Sequence, residues 1–220
     1  MDQPAEDRVV EPQPMKVVCF DLGGVLVRIS RSWQEACERA GIDPALADLA
    51  SINMLKASGN AARFQRGEIE FEEFIAGQVE QLECRVNETD LKRIHANWLV
   101  EGVSEMTSVI ERINQAGLVT ASLSNTDPEH WKTLRDMDVV KALAIQGLSF
   151  EMGLLKPDPE IYHEAEVRFD ACGSSILFFD DLPENVRAAE QCGWNAVQVD
   201  PMEPAAPQVD RGLAAFGITA

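Results

Sequence analysis

The stretch Cys19-Phe20-Asp21-Leu22-Gly23-Gly24 sets a carboxylate at the end of an apolar run and follows it at once with two glycines. In an open parallel sheet ligands bind beyond the carboxyl ends of the strands. An acid there, beside glycines that let another group approach the backbone, is placed for chemistry. Three further polar groups follow in order, each after an apolar run. Ser124-Asn125-Thr126-Asp127-Pro128 offers a hydroxyl and an amide as donors, with Thr126 or Asp127 free to cap the helix that Pro128 opens. Lys156 stands on the loop before Pro157-Asp158-Pro159, and Asp180-Asp181 close the run Phe178-Phe179. Adjacent carboxylates after buried phenylalanines repel each other and are costly to desolvate without a cation. Mg2+, which keeps several waters and needs only one or two protein carboxylates, is the natural partner.

Taken together, these groups suit phosphoryl transfer. A carboxylate on Asp21 can attack phosphorus, and an aspartyl phosphate splits one difficult step into two easier ones. A metal between Asp21 and the Asp180/Asp181 pair would neutralise the repulsion between nucleophile and phosphate. Lys156, Ser124 and Asn125 would supply donors to the phosphoryl oxygens.

The elements that must position these groups alternate along the chain. Met15 to Phe20 reads as a strand buried on both faces. After Val103 come a helix from a Ser104 cap to Ala116, a strand Leu118 to Leu123, a helix Pro128 to Met137 and a strand Ala142 to Leu148. A helix Pro159 to Phe169, a strand Ser175 to Phe179, a helix Pro183 to Cys192, a strand Asn195 to Val199 and a short helix near Ala214 complete the order. Strands separated by helices imply right-handed crossovers and a doubly wound, Rossmann-like parallel sheet, an α/β core made of residues 15–30 and 101–220. Between them, residues 31–100 carry helical periodicity: Trp33 to Ala40 before a Gly41 cap, Ala45 to Ala57 after Asp43-Pro44, Phe71 to Leu82, and Glu88 to Leu99. This is an inserted all-helical domain that could close over the site. Residues 1–14, acidic and proline-rich, read as a disordered leader.

The chain has 37 acids against 19 bases, a formal net charge of -18, and no long Lys/Arg run. That speaks against nucleic acid or an anionic membrane as partner. Cys19, Cys37, Cys84, Cys172 and Cys192 are odd in number and form no C-x-x-C pair, so reduced thiols and a cytoplasmic setting are expected. A monomer or homodimer acting on a small phosphorylated metabolite is the expected form.

In the order and spacing of all four motifs, from about Lys16 to Asp200, the sequence resembles the haloacid dehalogenase superfamily of phosphohydrolases. The insert is similar to that superfamily's helical cap of the first type, and Phe64-Gln65-Arg66-Gly67-Glu68-Ile69 with Phe71-Glu72-Glu73-Phe74 resembles a recurring phrase of such caps. Phe20-Asp21-Leu22-Gly23-Gly24, Leu123-Ser124-Asn125-Thr126 and Phe178-Phe179-Asp180-Asp181 look like the branch containing bacterial sugar-phosphate phosphatases, including α-glucose-1-phosphate phosphatase. The resemblance implies Asp21 as nucleophile, Ser124 and Asn125 as phosphate ligands, and Lys156 steadying both. It implies Asp180 and Asp181 as metal ligands with the backbone carbonyl of Gly23, and Asn185 orienting them from behind. It implies Mg2+ as cofactor and a sugar phosphate as substrate.

One position departs from that pattern. Most phosphatases of the family carry Asp two residues after the nucleophile, as general acid and then base, and here Gly23 stands there. Such help is typically worth about 10²- to 10⁴-fold. Three resolutions are open: a better leaving group, as in an anomeric or acyl phosphate; a cap residue in its stead, with Glu68 and His95 as candidates; or no turnover, leaving a noncatalytic binding protein on this fold. His95 lies on an apolar stripe that suits core packing, and the sequence assigns His130 and His163 nothing. A dehalogenase also attacks with Asp and lacks the second acid, but it needs no metal, so the Asp180-Asp181 pair favours phosphate.

Overall fold

The computed structural model describes residues 14–46 and 59–219. Its centre is a five-stranded parallel sheet of β1 (Val17–Phe20), β4 (Val119–Ser124), β5 (Ile145–Leu148), β6 (Ile176–Asp180) and β7 (Asn195–Gln198), in the order β5-β4-β1-β6-β7. Strand β1 lies in the middle, with Phe20 paired to Ser122 of β4 on one side and to Phe179 of β6 on the other. This register brings the carboxyl ends of β1, β4 and β6 side by side, and the three motifs they carry meet there.

Each central strand is apolar throughout because both faces are covered. Val18 and Phe20 join a cluster with Met106, Ile110 and Ile113 of α5 (Ser104–Gln115) and Val209 and Leu213 of α11 (Ala205–Ala215). Val17 and Cys19 point the other way, toward Ile161, Tyr162 and Ala165 of α9 (Pro159–Phe169) and Ala189 of α10 (Pro183–Gln191). Burying a side chain such as Ile110 fully contributes about 1.5–3 kcal/mol. Of the three buried polar residues on β4, Thr120 donates to Asn114 at 2.8 Å and Ser122 to Gln146 at 2.7 Å, while Ser124 ends the strand at the site.

Between β1 and β4 the described residues form α1 (Trp33–Ala40), α2 (Asn60–Gln65), α3 (Phe71–Gln81) and α4 (Glu88–Ala96). These helices hold a hydrophobic cluster of their own, in which the rings of Phe64 and Phe74 stack at 4.6 Å. The expected helix Ala45 to Ala57 lies, beyond Leu46, outside the described residues, as does the leader before Pro14. The helical segment is joined to the core by a two-stranded antiparallel ribbon, β2 (Val27–Ile29) with β3 (Leu99–Gly102), which the sequence reading did not anticipate. The apolar period of Glu88 to Leu99 runs on through Trp98, but the helix ends at Ala96 and Leu99 already belongs to the ribbon. The remaining differences are local. Pro128 to Met137 breaks into α6 (Pro128–Leu134) and α7 (Asp138–Lys141), and α8 (Ser149–Met152) follows β5. Ser104 does not cap α5; its hydroxyl bonds Glu105 and the N-cap position is Val103. The C-terminal helix is longer than the short one expected near Ala214.

Candidate active site

Asp21 follows β1 directly, and its backbone N–H donates to Phe179 O at 2.8 Å, continuing the sheet bond into the site. Its Oδ1 accepts from the backbone N–H of Leu22 at 2.7 Å and lies 3.0 Å from Lys156 Nζ. The Ser124 hydroxyl, at the end of β4, lies close enough to this carboxylate to pull its pKa down. Burial pushes the Asp21 carboxyl above its ordinary value, against the Lys156 ammonium, which pulls it down.

Lys156 is buried and donates to Asp180 Oδ2 at 2.7 Å, so one ammonium ties the ends of β1 and β6 together. Burial works against its charge, but the two carboxylates prevail and raise its pKa. The loop that carries it is braced by Asn125, whose Nδ2 donates to Lys156 O and whose Oδ1 accepts from Lys156 N, both at 2.8 Å. One N–H of the Asn125 amide, expected from sequence as a spare donor, is thus committed and locks the loop after β4 to the lysine loop. A cis peptide bond joins Lys156 to Pro157.

The two adjacent acids play different parts. Asp180 is fully buried, with Oδ1 accepting from Leu182 N at 2.8 Å and Asn185 Nδ2 at 3.0 Å, and Oδ2 from Lys156 and, at 3.1 Å, the same Asn185 amide. Asn185 is held in turn, its carbonyl accepting from Tyr162 Oη at 2.9 Å. Asp181 is only partly buried and lines the cavity above Asp21. Burial and then repulsion from Asp21 and Asp180 push its carboxyl up to about 7. The turn leaves it little room: a Cβ on Gly24, where φ is +77°, would lie 2.5 Å from Asp181 Oδ2. Carboxylate oxygens of Asp21, Asp180 and Asp181 all lie within 4.8 Å of one another. Three carboxylates gathered around one point could hold a cation, and their all-oxygen donor set suits a hard ion such as Mg2+.

Gly23 keeps its carbonyl, and nothing nearer than Ile29 Cδ1 at 3.4 Å would meet a Cβ there. Of the candidates for the missing acid, Glu68 is exposed, ion-paired to Arg63 at 3.8 Å, and does not line the cavity. His95 does line it, and is more than a packing residue. Its ring lies among Phe64, Phe71 and Phe74 and stacks on His130 at 3.9 Å with the planes 2° apart. His95 Nε2 approaches Asp127 Oδ2 at 3.3 Å, and His130 Nδ1 approaches the same oxygen at 2.8 Å. Asp127 Oδ1 meanwhile accepts from the N–H groups of Glu129 and His130, capping α6. This cluster joins α4 of the helical segment to the core, and His130 went unassigned in the sequence because His95, against which it stacks, lies on another element. His163 sits on the surface, 3.7 Å from Glu166.

His130 Nε2 faces His95 O at 2.9 Å, so both of its nitrogens meet groups that only accept; it carries both protons. Burial opposes that charge, but Asp127 raises its pKa. Burial alone would raise Asp127, yet the bonds from His130 and His95 hold it well below the usual carboxylate range. Asp127→Ala should then cost about 3–5 kcal/mol in urea unfolding, since a buried imidazolium loses its partner. Because the folded pKa of His130 lies above its unfolded value of about 6.5, its contribution is whole below that pH and fades as pH rises through the folded value. The Asp127 contribution is present above about pH 4 and is lost as pH falls through its depressed value. Melting temperatures measured from pH 6 to 9 should fall in the wild type and stay flatter in His130→Gln.

A parallel α/β sheet with a buried Asp, a lysine bridge and an acid pair at its strand ends is the arrangement of a hydrolase core of the haloacid dehalogenase type. The chain belongs to that family: the model of the haloacid dehalogenase-like hydrolases matches residues 15–193. It is 27% identical over 207 residues to acyl-CoA dehydrogenase family member 10 of Mus musculus, covering 89% of this chain but only 19% of that protein. It is 25% identical over 185 residues to the sesquiterpene phosphatase astK of Aspergillus oryzae, covering 81% of this chain and 86% of the other. Among solved structures, a HAD-family enzyme of Bacteroides thetaiotaomicron, in complex with magnesium and inorganic phosphate, shares the fold with a TM-score of 0.73 at 22% identity, over 88% of this chain and 98% of that one. Among the described residues no helix is long and apolar enough to cross a membrane.

Proposed function

We propose that the chain is a Mg2+-dependent phosphatase that hydrolyses a small phosphate monoester through an aspartyl phosphate on Asp21. The observation that carries this reading is the Lys156 ammonium, buried between Asp21 Oδ1 at 3.0 Å and Asp180 Oδ2 at 2.7 Å. It fixes the nucleophile's rotamer and leaves Oδ2, which takes neither the Leu22 nor the Lys156 bond, as the attacking atom. Attack forms the Asp21–phosphorus bond as the ester P–O bond breaks, and the alcohol departs with a proton from water. Water then adds to phosphorus and gives a proton back to the solvent that protonated the alcohol, the acyl phosphate bond breaks, and inorganic phosphate leaves with the carboxylate regenerated. Ser124 and Lys156 stand where they can donate to the phosphoryl oxygens as charge shifts.

Asp21, Asp181 and the Gly23 carbonyl would hold Mg2+, with Asp180 behind them keeping Lys156 and the loop in register. When bound, the ion supplies the positive charge that lets a carboxylate approach a phosphate dianion. The helical segment would cover the site and exclude bulk water. The phosphatase named among the relatives supports this reading, as do the fit of the carboxylates to a hard cation and the donors gathered around Asp21.

The test is phosphate release from alkyl, aryl, sugar and acyl phosphates. Turnover should vanish in excess chelator and return with added Mg2+. Silence throughout, with halide released from chloroacetate, would make the chain a dehalogenase. Silence in both assays would make it a binding protein for which Gly23 marks lost catalysis.

A further inference from the structure

We propose that the cavity above Asp21 receives phosphate esters of apolar alcohols, the hydrocarbon lying against the helical segment; this rests on the phosphatase reading. The cavity encloses about 630 Å³, the size of a pocket for a drug-sized organic molecule. Its floor is polar, built from Asp21, Ser124, Lys156 and Asp181. Its wall is not. Trp33 of α1, Phe64 of α2, Phe74 of α3, Ile94 of α4, and Trp98 and Leu134 beyond them present rings and aliphatic chains, with Val27 and Ile29 of the ribbon continuing the same surface.

The polar side chains along that wall are mostly committed to the protein itself. Arg31 donates to Pro201 O at 2.9 Å, and Ser32 accepts the Glu35 N–H at 3.1 Å as the cap of α1. His95, Asp127 and His130 are bonded to one another. Among the described lining residues the side chains of Gln65, Gln78 and Thr126 and the unpartnered indole N–H of Trp33 are left over, a small share of a wall that is otherwise hydrocarbon and few for the ring of hydroxyls on a sugar. Each sugar hydroxyl seated here would give up water for hydrocarbon, whereas an alkyl or aryl group gains from the same exchange. Asp21 thus meets phosphate on a polar floor while the alcohol meets an oily wall. The sugar phosphate implied by the sequence resemblance fits this cavity less well than an apolar ester.

The experiment is a chain-length series of butyl, hexyl and octyl phosphates beside glucose and glycerol phosphates, with Mg2+ present and acetyl phosphate as a small reference. The expected kcat/KM rises roughly fourfold per buried methylene, so that the octyl ester exceeds the butyl ester by about 250-fold and the sugar esters fall well below octyl. In Trp33→Ala the slope of the series should flatten. A flat wild-type series, or sugar esters turned over as well as octyl phosphate, would overturn the proposal while acetyl phosphate turnover upheld the phosphatase reading. Calorimetry with octylphosphonate reads the cavity independently of turnover. Binding with a negative heat-capacity change supports an apolar seat, and no binding removes it.

Discussion

Asp21→Asn is expected to reduce phosphate release by at least about 10⁴-fold while raising the melting temperature of the metal-free protein. The loss follows because an amide at this position cannot form the acyl phosphate. The gain follows from the surroundings of the carboxylate. Burial pushes the Asp21 carboxyl above the ordinary carboxylate value, so at neutral pH its charge is worse off folded than unfolded and opposes folding. An Asn oxygen can still accept from Leu22 N–H and Lys156, so the packing survives without that cost. Added Mg2+ should then raise the melting temperature of the wild type more than that of the variant, because the wild type has the anionic oxygen to offer. Residual activity above about one per cent would assign the nucleophile elsewhere. A lower melting temperature would mean that the ion pair with Lys156 outweighs the desolvation of Asp21.

The parts of this site carried by regular strands were legible in the sequence. Asp21, Ser124 and Asp180 each end a run whose apolar character reports burial on both faces, and parallel pairing at β1, β4 and β6 then puts them together. What periodicity could not reveal lies where side chains meet across elements. Asn125 looked like a free donor because its partners are the backbone groups of a residue 31 positions away. His95 looked like a core residue because the stripe it sits on is apolar, as the Phe64, Phe71 and Phe74 rings around it attest. The polar contact that gives it another role is to Asp127, on the loop after β4. The ribbon escaped because Val27–Ile29 is three residues long, too short to show alternation.

Lys156→Met is the stronger test of how the site is held together, because it strikes stability and catalysis at once. Lys156 is almost wholly buried and touches two carboxylates, so its removal leaves Asp180 with Asn185 and the Leu22–Asp21 turn with no opposing charge. Breaking a buried ion pair from one side costs about 3–5 kcal/mol, and urea unfolding without metal should show a loss of that size. Met matches the length and apolar stem of the lysine but puts a thioether where the ammonium lies 5.3 Å from the centre of the Phe178 ring, so the deficit reports the charge. Mg2+ should narrow the gap in stability, since a cation among the same carboxylates relieves the same repulsion. It should not restore turnover, which is expected to stay about 10²- to 10³-fold down for want of the ammonium at the phosphoryl oxygens. Lys156→Arg should fare no better, because a planar guanidinium cannot occupy the point-charge position between Asp21 and Asp180 without moving one of them. If the Met variant instead proves as stable as the wild type in the absence of metal, the two carboxylates must share a proton there. The lysine would then act on the substrate alone.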